Sequence, residues 1–440
     1  MMTPIPRVVI IGETFRANGG GGITMMNLFR EWPSDRLAVI TELTHECSRE
    51  YHCNKYYQIG HLEKRIPFPL KIFKKKIISG DFQIQSITSQ DISRINSSGG
   101  LKDALKNIYY RTIHILGLYH FTNKIILSDR LLNWVNEYSP DIIYHQPFNY
   151  SDMKLAYKLK CAIQKPLVVH VMDDIVSFAT KPNLLFFYWQ KQIEKLFRRL
   201  IESASLCLSI SDYMSLEYYR RYNKKCLSFR NPVDLERWIP HRKNDWQTGN
   251  SIKIIYTGRL AVPNILSLLN ICIAISNLRS KNVDINLDIY SLDTNQAFYR
   301  KIRGLEGIHI RKPVPYDHIP QVMSTYDLAV LPIDFDRRGL RFAKYSISTK
   351  TSEYLISGVP VLLLAPEETA LSFYASKTES MFVLNDPETR SIESAILQLT
   401  GDISLREQLA ERAFSVAKED SDGIKVRESF KAALISAMTL

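Results

Sequence analysis

The residues from Asp336 to Glu353 (DRRGLRFAKYSISTKTSE) concentrate side chains of the types that could hold a phosphorylated ligand. A basic loop with Arg337, Arg338, Arg341 and Lys344 leads to Tyr345 and then to Ser348 and Thr349, which read as the start of a helix ending at Gly358. Free backbone N–H groups and the positive end of a helix dipole suit a phosphate there, and Lys350 adds a full charge. Glu353, about one turn further on, is placed to accept hydrogen bonds from a ribose diol.

Three other segments could join such a site. In Tyr256-Thr257-Gly258-Arg259-Leu260 an arginine follows a strand directly behind a glycine, where its planar fork of donors can meet a diphosphate. Gly19, Gly20, Gly21 and Gly22 lie between the first strand and a helix, so the backbone can approach an anion closely; their spacing matches neither a dinucleotide fingerprint nor a Walker loop. In the first half, the strand ending Val168-Val169-His170-Val171-Met172-Asp173-Asp174 offers a histidine and two carboxylates. One Asp can meet a substrate hydroxyl while the other caps the next segment. His45, Cys47, His52 and Cys53 lack the spaced pairs of a structural zinc site, and no metal is expected.

The elements that must position these residues alternate regularly. From residue 252 onward, apolar β-branched runs at 252–257, 285–290, 309–314, 328–333, 361–365 and 381–384 are separated by helical patterns at 264–279, 317–326 and 349–357. Continuous apolar strands alternating with helices predict a parallel sheet covered on both faces. The first half repeats the plan: strands at 8–11, 37–41, 141–144, 166–172 and 206–210, and helices at 23–32, 190–203 and 212–222. Between 42 and 136 only an amphipathic pattern at 124–135 is clear. The polar, aperiodic stretch 236–250 reads as a linker. The expected architecture is α/β, two Rossmann-like doubly wound domains facing a cleft, spanning 1–235 and 251–423, with a final helix at about 424–440 returning to the first.

Composition narrows the class. The 440 residues are 45% hydrophobic and 23% charged, which excludes fibrous and largely disordered chains. The longest apolar runs, 328–333 and 360–366, fall far short of a membrane span, and the first residues do not resemble a secretory leader. Six irregularly spaced cysteines fit reduced thiols in a cytoplasmic protein better than a disulfide framework. The net charge of +12 sits in the first half: residues 1–234 hold 32 Lys and Arg against 21 Asp and Glu, the remainder 25 against 24. Part of it is a run from Lys64 to Lys76, in which Lys64, Arg65, Lys71, Lys74, Lys75 and Lys76 interleave with Ile66, Phe68, Leu70, Ile72 and Phe73. Such a run suits an anionic membrane surface. Without a nucleic-acid motif, no nucleic-acid partner is expected.

Taken together, TGRL at 257–260, VPYDHIPQVMSTYDLAVLPI at 314–333, STKTSEYLISGVPVLLLAP at 348–366 and the stretch from SISDYMSLEYYRRY to RNPVD at 209–234 resemble the GT-B nucleotide-sugar glycosyltransferases, most closely glycosyltransferase family 4. The resemblance implies that the second domain binds a nucleotide diphosphate sugar and the first a glycan or glycolipid acceptor, in surface polysaccharide biosynthesis. It implies a metal-independent, retaining hexosyl transfer by a cytoplasmic protein peripheral to the membrane, with no separate cofactor. Arg259 and Lys350 would hold the diphosphate, Ser348 and Thr349 would bind it through backbone N–H groups, and Glu353 would bind ribose; Gly20, Gly21 and Gly22 occupy the family's glycine-rich place. His170, Asp173 and Asp174 are the acceptor-side candidates. Two positions depart from the pattern: the first of the family's paired glutamates falls on Tyr345, and the lysine expected five residues after the arginine falls on Asn264. A nucleotide-sugar epimerase of the same fold and a basic nucleic-acid binder are the alternatives.

Overall fold

A computed structural model describes residues 4–16, 20–42, 53–65, 77–82, 101–178 and 182–439. The chain divides into two compact units: Met1–Ser209 with Ser215–Phe229 and Arg427–Leu440, and Ile210–Met214 with Arg230–Val426.

In the first unit, strands β1 (Val8–Ile11), β2 (Leu37–Thr41), β3 (Lys55–Gln58), β5 (Gly80–Phe82), β7 (Ile142–His145), β8 (Leu167–Val171), β9 (Leu206–Ser209) and β10 (Cys226–Ser228) form one sheet in the order β10-β9-β8-β7-β1-β2-β3-β5. Every pair is parallel except β3 with β5. The runs VVII in β1 and LVVHV in β8 are buried throughout, because helices cover both faces. Strands β4 (Lys64–Arg65) and β6 (Lys124–Ile125) make a separate antiparallel pair.

The second unit is the plainer case of the same plan. Strands β11 (Ile252–Thr257), β12 (Ile285–Tyr290), β13 (Ile308–Arg311), β14 (Leu328–Pro332), β15 (Val361–Leu364) and β16 (Phe382–Leu384) are all parallel, ordered β13-β12-β11-β14-β15-β16. Strand order reverses between β11 and β14, and in the first unit between β1 and β7. In open α/β sheets ligands gather beyond the carboxyl ends of strands at these reversals. Arg259 follows β11 directly.

Four local expectations change. Gly20, Gly21 and Gly22 are not a loop; they form the first turn of the helix Gly20–Leu28. Glycine is a weak helix former, so composition misled, and packing decides. A Cβ on Gly21 would lie 2.7 Å from Glu13 Oε2 and one on Gly22 2.3 Å from Arg16 Cγ. The basic loop before Tyr345 contains the helix Arg337–Ala343, whose N-cap Asp336 accepts the Gly339 N–H at 2.8 Å.

Residues 236–250 are not a free linker. Trp238 is buried in the core of the second unit with Tyr354 and Leu355. Trp246 donates its indole N–H to Gly358 O at 2.9 Å, and the buried Arg406 guanidinium donates to Trp246 O at 2.7 Å. Two aromatic anchors thus outweigh a polar sequence. Finally, Cys207 and Cys226, directly opposed in β9 and β10 with Cα atoms 4.6 Å apart, are joined in a disulfide, so not all six cysteines are free thiols. Cys53, Cys161 and Cys272 are in no disulfide. Among the described residues no helix is long and apolar enough to cross a membrane.

Candidate functional site

The turn after β11 is fixed from below. Tyr256 donates its hydroxyl to Arg259 O at 2.9 Å, and Asn264 donates to the same hydroxyl at 3.3 Å. Asp293 accepts the Leu260 N–H at 2.8 Å, and Asn295 donates to Leu260 O at 2.8 Å. Asn264, where the resemblance expects a lysine, therefore supports the turn and supplies no charge. The Arg259 backbone is held while its side chain stays 76% exposed, paired with Asp293 at 3.5 Å. A guanidinium on a rigid base with a weak surface partner is available to an incoming anion.

The helix Lys350–Ile356 stands beside this turn. Tyr354, fully buried, accepts the Thr257 N–H at 2.7 Å and reaches Thr257 Oγ1 at 3.2 Å. Burial pushes its hydroxyl up to about 12, so it stays a neutral phenol. The clip joins the end of β11 to the helix that carries Lys350 and Glu353. At the helix start, Ser348 O accepts the Thr351 N–H at 3.0 Å and Asn231 donates to Thr349 O at 3.2 Å. Ser348 is exposed, its hydroxyl 3.4 Å from the Lys350 N–H; Thr349 has helical backbone angles and makes no side-chain cap.

Two opposite charges are held in the first turn of that helix. Burial lowers the Lys350 ammonium from its usual 10.5, and the Glu353 charge works against the shift. Burial raises the Glu353 carboxyl above its usual 4.5; Lys350, a hydrogen bond with Tyr316 and the charge of Arg237 all oppose this. Arg237 lies 4.1 Å over the Tyr316 ring, donates to the Tyr316 carbonyl and pairs with Asp317 at 3.0 Å. Sequence reasoning missed Tyr316 and Arg237, because Arg237 lies inside the supposed linker, 79 residues from Tyr316. The tyrosine in VPYDHIP was the available signal.

Tyr345 stacks on Tyr213 with ring centroids 5.8 Å apart, and its carbonyl accepts the Ser211 hydroxyl at 2.7 Å. These contacts explain why residues 210–214 belong to the second unit.

In the first unit, the reversal point is built differently. Gly12 has φ +103°, and a Cβ there would lie 2.2 Å from Gln146 O, so only glycine fits. Glu13 accepts the Thr14 N–H at 3.0 Å and pairs with Arg16 at 2.9 Å beneath Gly21 and Gly22. His145, not singled out from sequence, is fully buried at the end of β7, 3.0 Å from Ile11 O through Nδ1; burial lowers it to about 4, so it stays neutral.

The trio read as acceptor-side splits. His170 is fully buried, its Nδ1 2.6 Å from the Tyr144 hydroxyl, and burial lowers it to about 3. It is a neutral core histidine, which corrects the expectation of a substrate contact: every residue of β8 is covered on both faces. Asp174 is also buried, accepting from Ser177 and from Tyr218 at 3.1 Å and pairing with Arg221 at 3.1 Å, so it ties elements together. Asp173 alone is exposed. His45, Cys47, His52 and the basic run at 66–76 lie outside the described residues.

No family model and no curated protein sequence matches the chain. Solved structures do. HepE of Anabaena in complex with UDP and glucose is 13% identical, with 98% of this chain and 99% of that one covered and a TM-score of 0.58. Sucrose-phosphate synthase from Thermosynechococcus elongatus is 11% identical over 98% and 99% of the two chains, with a TM-score of 0.62. A trehalose-6-phosphate structure from E. coli bound with UDP-2-fluoro glucose is 11% identical over 97% and 98%, with a TM-score of 0.58. With their two parallel-sheet α/β domains, these structures and this chain share one fold, the GT-B fold.

Proposed function

We propose that the protein is a glycosyltransferase of the family 4 type, moving a hexose from a nucleotide diphosphate donor to a glycan or glycolipid acceptor in surface polysaccharide biosynthesis. The observation that carries this reading is the Tyr354–Thr257 clip, which joins the turn bearing Arg259 to the helix bearing Lys350 and Glu353. In this reading Arg259 and Lys350 neutralise the diphosphate as the bond from the anomeric carbon to its oxygen breaks, without a bound metal. Ser348 and Thr349 offer it backbone N–H groups, and Glu353 accepts from the ribose. Tyr345 borders the donor sugar in place of a glutamate, and configuration is retained. Gly20, Gly21 and Gly22, at a helix start, let the backbone approach an anionic group, and Asp173 is the acceptor-side carboxylate. The likeness to structures holding UDP or UDP-2-fluoro glucose supports UDP as the first nucleotide to try. The cytoplasmic, membrane-peripheral location belongs to the same reading.

Calorimetric titration with UDP tests it. Binding by the native chain is expected to weaken at least about tenfold in Arg259→Ala and in Glu353→Ala, the loss of one charge-assisted hydrogen bond. Unchanged affinity in both variants would overturn the site.

A further inference from the structure

Among its described residues the first unit carries an exposed apolar surface. Leu184 and Phe187 are 76% and 83% exposed, and Ile115 is 63% exposed. These residues are neighbours, because the Leu184 N–H donates to Ile115 O at 3.0 Å and the Trp189 indole donates to Gly117 O at 2.6 Å. Phe121, itself 40% exposed, stacks on Tyr188 with centroids 6.2 Å apart and planes at 23°. Two chain segments, 115–121 and 184–188, thus make one patch of exposed aliphatic and aromatic side chains. Scattered exposed apolar residues are ordinary; a joined patch of this kind marks a contact surface.

The charge at its rim is mainly basic. The Lys124 ammonium lies 5.7 Å from the Phe121 ring centroid, and Arg111 and Lys191 are exposed on the helices Leu101–Ile115 and Phe186–Ser203. Neither 107–128 nor 175–193 contains an Asp or a Glu. Glu42, whose charge reaches Tyr119, is neutralised by Lys64 at 2.6 Å. The β4–β6 pairing sets Lys64 opposite Ile125 and Arg65 opposite Lys124, so the basic run that starts at Lys64 begins beside this patch.

An anionic bilayer matches all of these features. Its hydrocarbon edge receives leucine and phenylalanine, its headgroup layer suits Tyr188, and its phosphates attract lysine and arginine whose stems lie along apolar surface. We infer that this patch, with Lys124, Arg111 and Lys191 at its rim, seats the first unit on an anionic lipid membrane. The inference takes up the peripheral-membrane part of the proposed function but assigns it to residues of its own, and its test needs no sugar donor.

The full-length protein is sedimented with vesicles of phosphatidylcholine alone and of phosphatidylcholine mixed with phosphatidylglycerol. Binding to the mixed vesicles that weakens with salt is expected. Leu184→Ser combined with Phe187→Ser should lower partitioning at least about tenfold through lost apolar insertion, and Lys124→Glu should remove part of the salt-sensitive component. Both variants should melt with the native protein and bind UDP as it does. Absence of native binding, or equal binding by the variants, overturns the inference. A change in self-association by the variants without vesicle binding by the native protein overturns it in favour of an interface between copies. Loss of UDP binding with vesicle binding intact would instead count against the donor site alone.

Discussion

Tyr354 and Thr257 are 97 residues apart in sequence, and the phenol of one accepts the backbone N–H of the other at 2.7 Å. A buried donor is satisfied by a side chain on another element, so the turn and the helix hold each other in place.

Tyr354→Phe strands that N–H in the core. The expected cost is about 1–3 kcal/mol, or a fall of roughly 2–4 °C per kcal/mol in a unit of this size. UDP affinity should fall with it, because the turn bearing Arg259 loses its tie to the helix bearing Lys350 and Glu353. Thermal melting and calorimetry on the same sample check both.

The sign of the pH dependence follows from Glu353 and Lys350. The folded state raises the Glu353 carboxyl, so the stability linked to this group is fully present below its usual 4.5 and is lost as pH rises through the folded value. For Lys350 the folded value is lowered; the cost of keeping it charged is felt at low pH and relieved as pH rises towards 10.5. Glu353→Gln should therefore raise the melting temperature at pH 7, with the gain vanishing below about pH 4, while UDP binding weakens. Melting curves across pH would expose the opposite sign.

Arg237 acts on Glu353 through Tyr316. Arg237→Gln removes both the cation over the ring and a positive charge that favours the carboxylate, so the Glu353 carboxyl should titrate higher. Carboxyl NMR reads that shift directly, and UDP affinity should drop several-fold at neutral pH.

The three residues near the end of β8 should separate by experiment. His170→Ala should destabilise by about 2–4 kcal/mol through cavity formation and the lost Tyr144 contact. Asp174→Ala removes the acceptor of Ser177 and Tyr218 and one of the two carboxylates on Arg221, which keeps Glu217, and should cost about 1–3 kcal/mol. Asp173→Asn should cost the least stability of the three and lower transfer. Melting curves paired with a donor-consumption assay distinguish the three.

Most strands of both sheets are legible in the sequence because they are continuous apolar runs, and the helix Lys350–Ile356 because Ser348 and Thr349 precede it and Gly358 and β15 follow it. What escapes is whatever depends on distant partners. The Arg237–Tyr316 contact has no local pattern, and the anchoring by Trp238 and Trp246 is hidden by the polar residues between them. His170 was legible in principle: in a strand covered on both faces, a histidine between Val169 and Val171 points into the core whichever way it faces. The short strands β3 and β5 carry too few residues for a period to show.

The helix Gly423–Ser436 is shared between the two units, its last ten residues belonging to the first. Phe430 within it is fully buried against Phe29 and Tyr144, with ring centroids 5.0 and 6.1 Å away. The unit whose strands leave the ribosome first thus lacks a core aromatic until the second unit has been made. At about 5–20 residues per second, its nascent form waits many seconds with a gap beside Phe29 while the second unit is synthesised.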